Sequence, residues 1–97
     1  MNTGISVKCE IAKGMFASEY FDKIKMSDGS KWEGAVDREM VITSSEPNDN
    51  FKPARVYAYL VGKDADNALI ELPIEDSTSG RRAVVPLENI QPERIPA

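Results

Sequence analysis

Histidine is absent from the chain, and cysteine occurs once. Without histidine, Ser-His and Cys-His nucleophilic catalysis and histidine metal sites are removed. The usual proton shuttle at neutral pH is missing as well. A single cysteine forms no intramolecular disulfide and cannot hold a structural zinc. No apolar run approaches the roughly 18 residues of a membrane-spanning helix. Met1-Asn2-Thr3-Gly4 leads straight into an alternating segment, without the basic region and apolar run of a signal peptide. The expected setting is therefore the cytoplasm, with no membrane partner. The six glycines are scattered, so no phosphate-cradling loop is present. No cofactor is expected.

Charge of one sign is never concentrated. The chain carries 16 acidic and 12 basic residues, a net charge of −4, with the signs interspersed. Phosphate-backbone binding needs a concentrated positive surface, so the composition argues against nucleic acid. Ninety-seven residues with 41% hydrophobic and 29% charged side chains make one ordinary globular domain, 1–97.

What is present is β periodicity. In 5–12, Ile5, Val7, Cys9 and Ile11 alternate with Ser6, Lys8 and Glu10, which predicts one buried and one wet face. Cys9 is read as a small buried apolar residue. A hairpin follows over 20–26 and 31–36. A three-residue loop with Gly29 left-handed pairs Met26 with Ser30 and Ile24 with Trp32. That register gathers Tyr20, Ile24, Met26, Trp32 and Val36 on one face, and the opposite slip would set apolar residues against lysines. Trp32 is expected in the core. The segment 37–42 continues or restarts a strand. The stretch 43–53 is the longest loop and the one expected to be most mobile.

From Ala54 to Ile90 the chain reads as three strands, 55–61, 68–74 and 81–85, joined by polar turns. Pro86 stops the last strand, and Leu87-Glu88-Asn89-Ile90 predicts a 3₁₀ turn. The tail 91–97, with two prolines, is expected to fray. The whole predicts an all-β fold, a small barrel or a two-sheet sandwich; because closure removes exposed edges, the reading is a small five- to six-stranded barrel with at most one short helical or 3₁₀ turn.

The stretch Gly80-Arg81-Arg82-Ala83-Val84-Val85-Pro86-Leu87-Glu88-Asn89-Ile90 resembles the end of SH3-like barrels, where a glycine-led strand meets a proline-opened 3₁₀ turn. The resemblance implies SH3-like barrel architecture. It does not extend to proline-rich peptide binding. Asn89 falls one position late, no tyrosine follows it, and the family's N-terminal Ala-Leu-Tyr-Asp-Tyr is missing. Trp32 lies too far before Pro86 to match the family's binding tryptophan.

Candidate sites are few. If Val56, Ala58 and Leu60 point inward, Tyr57 and Tyr59 point outward near Leu69, the kind of aromatic surface that binds a partner. Arg81 and Arg82 read as solvated strand-end charges. Asp64-Ala65-Asp66-Asn67, with Glu75 at the twelfth position, is similar to the start of a calcium loop. Leu69 stands where that loop needs glycine, and Ala68 where it needs an oxygen, so a hairpin turn is the better reading. Asp37 with Glu39, and Glu19 with Asp22, are near pairs of carboxylates without a pattern that separates their pKa values.

The expected function is binding of another protein, or self-association, without catalysis. One alternative is nucleic-acid binding as in Sm-like and Tudor-like barrels, using Lys23, Lys25 and Lys31 with Phe21 nearby. The other is a carboxylate-based enzyme.

Overall fold

The computed structural model describes residues 3–74 and 80–95. Eight strands form one antiparallel sheet. They are β1 (Thr3–Lys13), β2 (Glu19–Lys25), β3 (Lys31–Asp37), β4 (Val41–Ile42), β5 (Lys52–Lys63), β6 (Asn67–Glu71), β7 (Arg82–Pro86) and β8 (Ile90–Pro92). The order across the sheet is β3-β2-β1-β5-β6-β7, with β4 on β5 and β8 on β1. Its ends come together: the Ser27 amide in the β2–β3 turn donates to the Val84 carbonyl of β7 at 2.9 Å. The result is a nearly closed all-β barrel.

Two long strands organise it. β1 and β5 pair along most of their length, with Ile5 opposite Ala58 and Val7 opposite Val56, all buried. Each is too long for one neighbour on its other edge, so it takes two. β1 pairs with β8 through Ile5, Ser6 and Val7, and with β2 from Glu10 to Lys13. β5 pairs with β4 at Val56 and Arg55, and with β6 from Tyr59 onward, past a bulge between Leu60 and Gly62. A bulge of this kind bends a strand and raises its twist, as closure requires.

The expectation of five to six strands is therefore corrected to eight. The segment 37–42, read as continuing or restarting a strand, does restart one, as the two-residue β4 after the turn at Arg38–Met40, and β8 adds a three-residue piece that periodicity cannot reveal. The expectation of at most one 3₁₀ turn is also corrected: Leu87–Asn89 forms the predicted one, and Arg38–Met40 forms a second where β3 turns toward β4. Gln91 and Pro92, assigned by sequence to a frayed tail, belong to β8. Beyond them the Glu93 amide donates to the Gly4 carbonyl at 3.1 Å.

The hairpin register is as read. Ile24 faces Trp32 and Lys23 faces Glu33. The Met26 amide donates to the Ser30 carbonyl, and Gly29 has φ of 89°. Trp32 is 0% exposed and donates its indole N–H to the Gly80 carbonyl at 2.8 Å. The inner face of β1 is buried as predicted, Cys9 included. Its outer face is not uniformly wet. Ser6 is fully buried, because Arg55 donates to its hydroxyl and carbonyl and the Ser6 hydroxyl reaches Glu93. The segment after β6 keeps Leu72 and Ile74 in the core. The turn predicted over 75–80 falls mostly outside the described residues.

Candidate functional site

A cleft of about 480 Å³ opens where the β1–β2 turn meets the loop before β5. One wall carries Met15 and Phe16, 87% and 64% exposed and adjacent in sequence. Large apolar side chains this exposed stand out in a chain whose tryptophan, isoleucines and leucines are all buried or half-buried. The rest of the lining includes a hydrogen-bonded polar group. Arg38 donates to the Tyr20 hydroxyl at 3.0 Å and to the Ala17 carbonyl at 3.1 Å, and pairs with Glu46. The Tyr20 hydroxyl in turn donates to Glu46 at 3.1 Å, and the Arg38 guanidinium lies 4.9 Å from the Tyr20 ring centroid.

Each member is placed by its element. Tyr20 is an inward residue of β2, 6% exposed, and its hydroxyl meets Arg38 and Glu46. Arg38 stands in the first 3₁₀ turn, whose amide is tied to the Ser18 carbonyl at 3.1 Å. Glu46 comes from the loop 43–51, which the fold holds down: the Lys13 amide donates to the Asn48 carbonyl, Lys52 reaches the Ser45 carbonyl, and Pro47 is buried. A hydrogen-bonded polar group with an apolar lip suits a side chain with an apolar body that enters from solvent.

The residues singled out by sequence are spread over other places. Tyr57 and Tyr59 lie on the outer face, half-buried, with Val56 and Ala58 inward. Tyr59 faces Glu71 across the ladder and shares a shallow groove with Pro73 and Arg81. Leu69 faces Gly62 and lines a different groove, the seam between the β2–β3 turn and β7, with Met26 and Val84. Val84 is 45% exposed there. Arg81 and Arg82 are both exposed, and Arg82 reaches Glu71 at 3.4 Å.

On the outer face of β2, Lys25 faces Lys31 and Lys23 faces Glu33. The Phe21 ring meets Phe51 edge-on at 6.0 Å, and the Lys23 ammonium sits 4.0 Å from the Phe51 centroid. Lys23 is thus engaged by Glu33 and the Phe51 ring, while Lys25 and Lys31 set like charges opposite each other. Asp64 accepts from the amides of Asp66 and Asn67, which closes the β5–β6 turn and lowers its pKa. Among the described residues no cluster of acids and cysteine could hold a metal, and no helix is long and apolar enough to cross a membrane.

Asp22, read from sequence only as a near pair with Glu19, is placed in the core. It is fully buried on the inner face of β2, between Tyr20 and Ile24, and both carboxyl oxygens lack a hydrogen-bond partner. Burial pushes its pKa up to about 7; the Cys9 thiol and the Lys23 amide pull it down without cancelling that. Neither has the geometry of a full hydrogen bond. Burial, then the Asp22 carboxylate, raises the Cys9 thiol well above its ordinary range, so Cys9 is an inert thiol. The alternation that gathered Tyr20, Ile24 and Met26 on one face already placed Asp22 there. Met15, Phe16, Arg38 and Glu46 carried no such signal, because only the topology brings them together. Comparison with protein-family models, curated proteins and solved structures finds no match to the chain.

Proposed function

We propose that this chain is a small β-barrel module that binds another protein and takes an apolar side chain of that partner into the cleft beside Met15 and Phe16. The observation that carries this reading is the pairing of two adjacent, strongly exposed large apolar residues with a polar group already fixed by hydrogen bonds. Exposed apolar surface costs solubility, and its usual use is contact. A group that is ordered before binding adds little ordering cost at the moment of contact. The SH3-like architecture belongs to the same proposal; β7, the 3₁₀ turn Leu87–Asn89 and β8, running in that order, support it. So does the cytoplasm as its setting, on the single cysteine.

Nucleic-acid binding would use Lys23, Lys25, Lys31 and the Phe21–Phe51 pair. Stacking needs a free ring face, and Lys23 already covers one face of Phe51. A carboxylate enzyme would need a free acid that meets a substrate; Asp22 is buried in the core, and Glu46 in the cleft is engaged by Arg38 and Tyr20.

The test selects binders from a random peptide library on the purified protein and maps them by amide shift changes. Shifts are expected at Lys13 to Glu19 and Glu46 to Asp49. Phe16→Ser should weaken binding at least tenfold with an unchanged spectrum elsewhere. Binders that map to Tyr57, Tyr59 and Leu69 would move the site to the aromatic outer face, and binders that ignore both would remove the proposal.

A further inference from the structure

The outer face of the β2–β3 hairpin is patterned by charge. Its side chains are Glu19, Phe21, Lys23 and Lys25 on β2 and Lys31, Glu33, Ala35 and Asp37 on β3. The ladder sets them in rows: Glu19 with Asp37 at the base, Phe21 with Ala35, Lys23 with Glu33, and Lys25 with Lys31 at the tip. The end rows place like charges directly opposite each other, which destabilises a strand pair. Lys25, Lys31 and Asp37 are exposed and Glu19 is half-buried. Among the described residues, none of these four forms an ion pair.

The two ends cannot relieve each other within one chain. The length of β2 separates them by about 20 Å at ~3.3 Å per residue, twice the screening length of about 10 Å at 0.1 M salt. The middle rows are balanced: Lys23 lies 3.9 Å from Glu33, and Phe21, flanked by Phe51, stands beside Ala35. Lys23, Lys25 and Lys31 against Glu19, Glu33 and Asp37 make the face neutral, on a chain whose net charge is −4. Copies of an acidic chain repel one another, and a neutral face is spared that repulsion.

A basic tip and an acidic base on one face complement the same face turned end for end. A two-fold axis between two such faces, across the strands at the level of Asp22 and Gly34, sets Lys25 and Lys31 over Glu19 and Asp37 of the second copy, and the reverse. The middle rows then meet as Lys23 over Phe21 and Glu33 over Ala35, and Glu10, beside Lys23 on β1, meets Ala12. No like charges touch. An axis along the strands would instead stack lysine on lysine and acid on acid.

We propose that the outer face of the β2–β3 hairpin is the interface of a symmetric dimer of this chain, with the two hairpins packed face to face and reversed end for end. This surface is separate from the cleft beside Met15 and Phe16 and shares Glu19 with its lining. The face is small against the roughly 800 Å² per partner of a stable interface. The dimer therefore forms at chain concentrations of about a millimolar, and it weakens at least fivefold in about 1 M salt, where the screening length falls to about 3 Å.

Charge exchange tests this by sedimentation equilibrium at low salt on the intact chain. Lys31→Asp sets acid against acid at both ends of the dimer, and Asp37→Lys sets lysine against lysine. Each variant alone should associate about tenfold more weakly than the unmodified protein. Each also removes a like-charge row from its own hairpin, so both should fold at least as well. An equimolar mixture of the two variants restores opposite charges at both ends and should associate at least as strongly as the unmodified protein. An unmodified chain that stays monomeric at about a millimolar, variants that associate unchanged, or a mixture no heavier than its parts would overturn the proposal.

Discussion

A carboxyl group without a partner inside a barrel is most stable with its proton on. For Asp22 the folded pKa of about 7 lies above the ordinary value of 3.8. The protein is most favoured by this group below the unfolded pKa, where both states hold the proton. Stability is lost as pH rises toward the folded pKa, because the unfolded chain ionises first. The loss by pH 8 is about 4 kcal/mol, at 1.36 kcal/mol per unit of pKa. Asp28 and Asp64 have the opposite sign, since turn hydrogen bonds lower their pKa values, but both are fully exposed. Urea unfolding of the unmodified protein should show a midpoint that falls from pH 4 to pH 8, and Asp22→Asn should remove most of that fall. An Asp22→Asn variant with the same slope would show that the carboxyl is solvated. Asp22 was legible from alternation alone. What hid it was the general preference of carboxylates for water, which makes an acid on an apolar face read as an interruption.

The elements differ in how far sequence reveals them. The hairpin register follows from Ile24, Met26 and Trp32, because only one pairing buries all three, and Gly29 permits the loop that this pairing needs. β4 falls at the end of 37–42, the segment read as continuing or restarting a strand, whereas β8 leaves no trace, since three residues contain no period; they pair with β5 and β1. The segment after β8 has a specific requirement at Gly4. A methyl group there would lie 2.6 Å from the Glu93 carbonyl oxygen, a backbone atom that moves only if the segment moves. Gly4→Ala should release residues 93–95, break the Ser6–Glu93 contact and cost about 1–2 kcal/mol. Loss of protection at the Glu93 amide together with a lower urea midpoint is the expected result. Unchanged protection would mean that β1 yields instead.

At the scale of the whole molecule, closure and recognition share one part. Tyr20 belongs to the β2–β3 hairpin through its backbone and to the cleft through its hydroxyl, which joins Arg38 and Glu46. Those three residues lie 8 to 26 positions apart in the chain. No local pattern could associate them, whereas the Tyr57 and Tyr59 pair was visible because both stand on one strand. The chain thus presents two candidate faces: an outer aromatic one whose tyrosines are half-buried, and a cleft whose apolar lip is open. The measurement that separates them is photo-crosslinking in the cells that make the protein. A photoreactive phenylalanine is placed in turn at positions 16, 57, 59 and 69. A defined protein adduct from position 16, stronger than from the other three, is the predicted result; an adduct of twice the chain's mass would identify the partner as a second copy. Adducts confined to positions 57, 59 and 69, or none from position 16, would contradict the account.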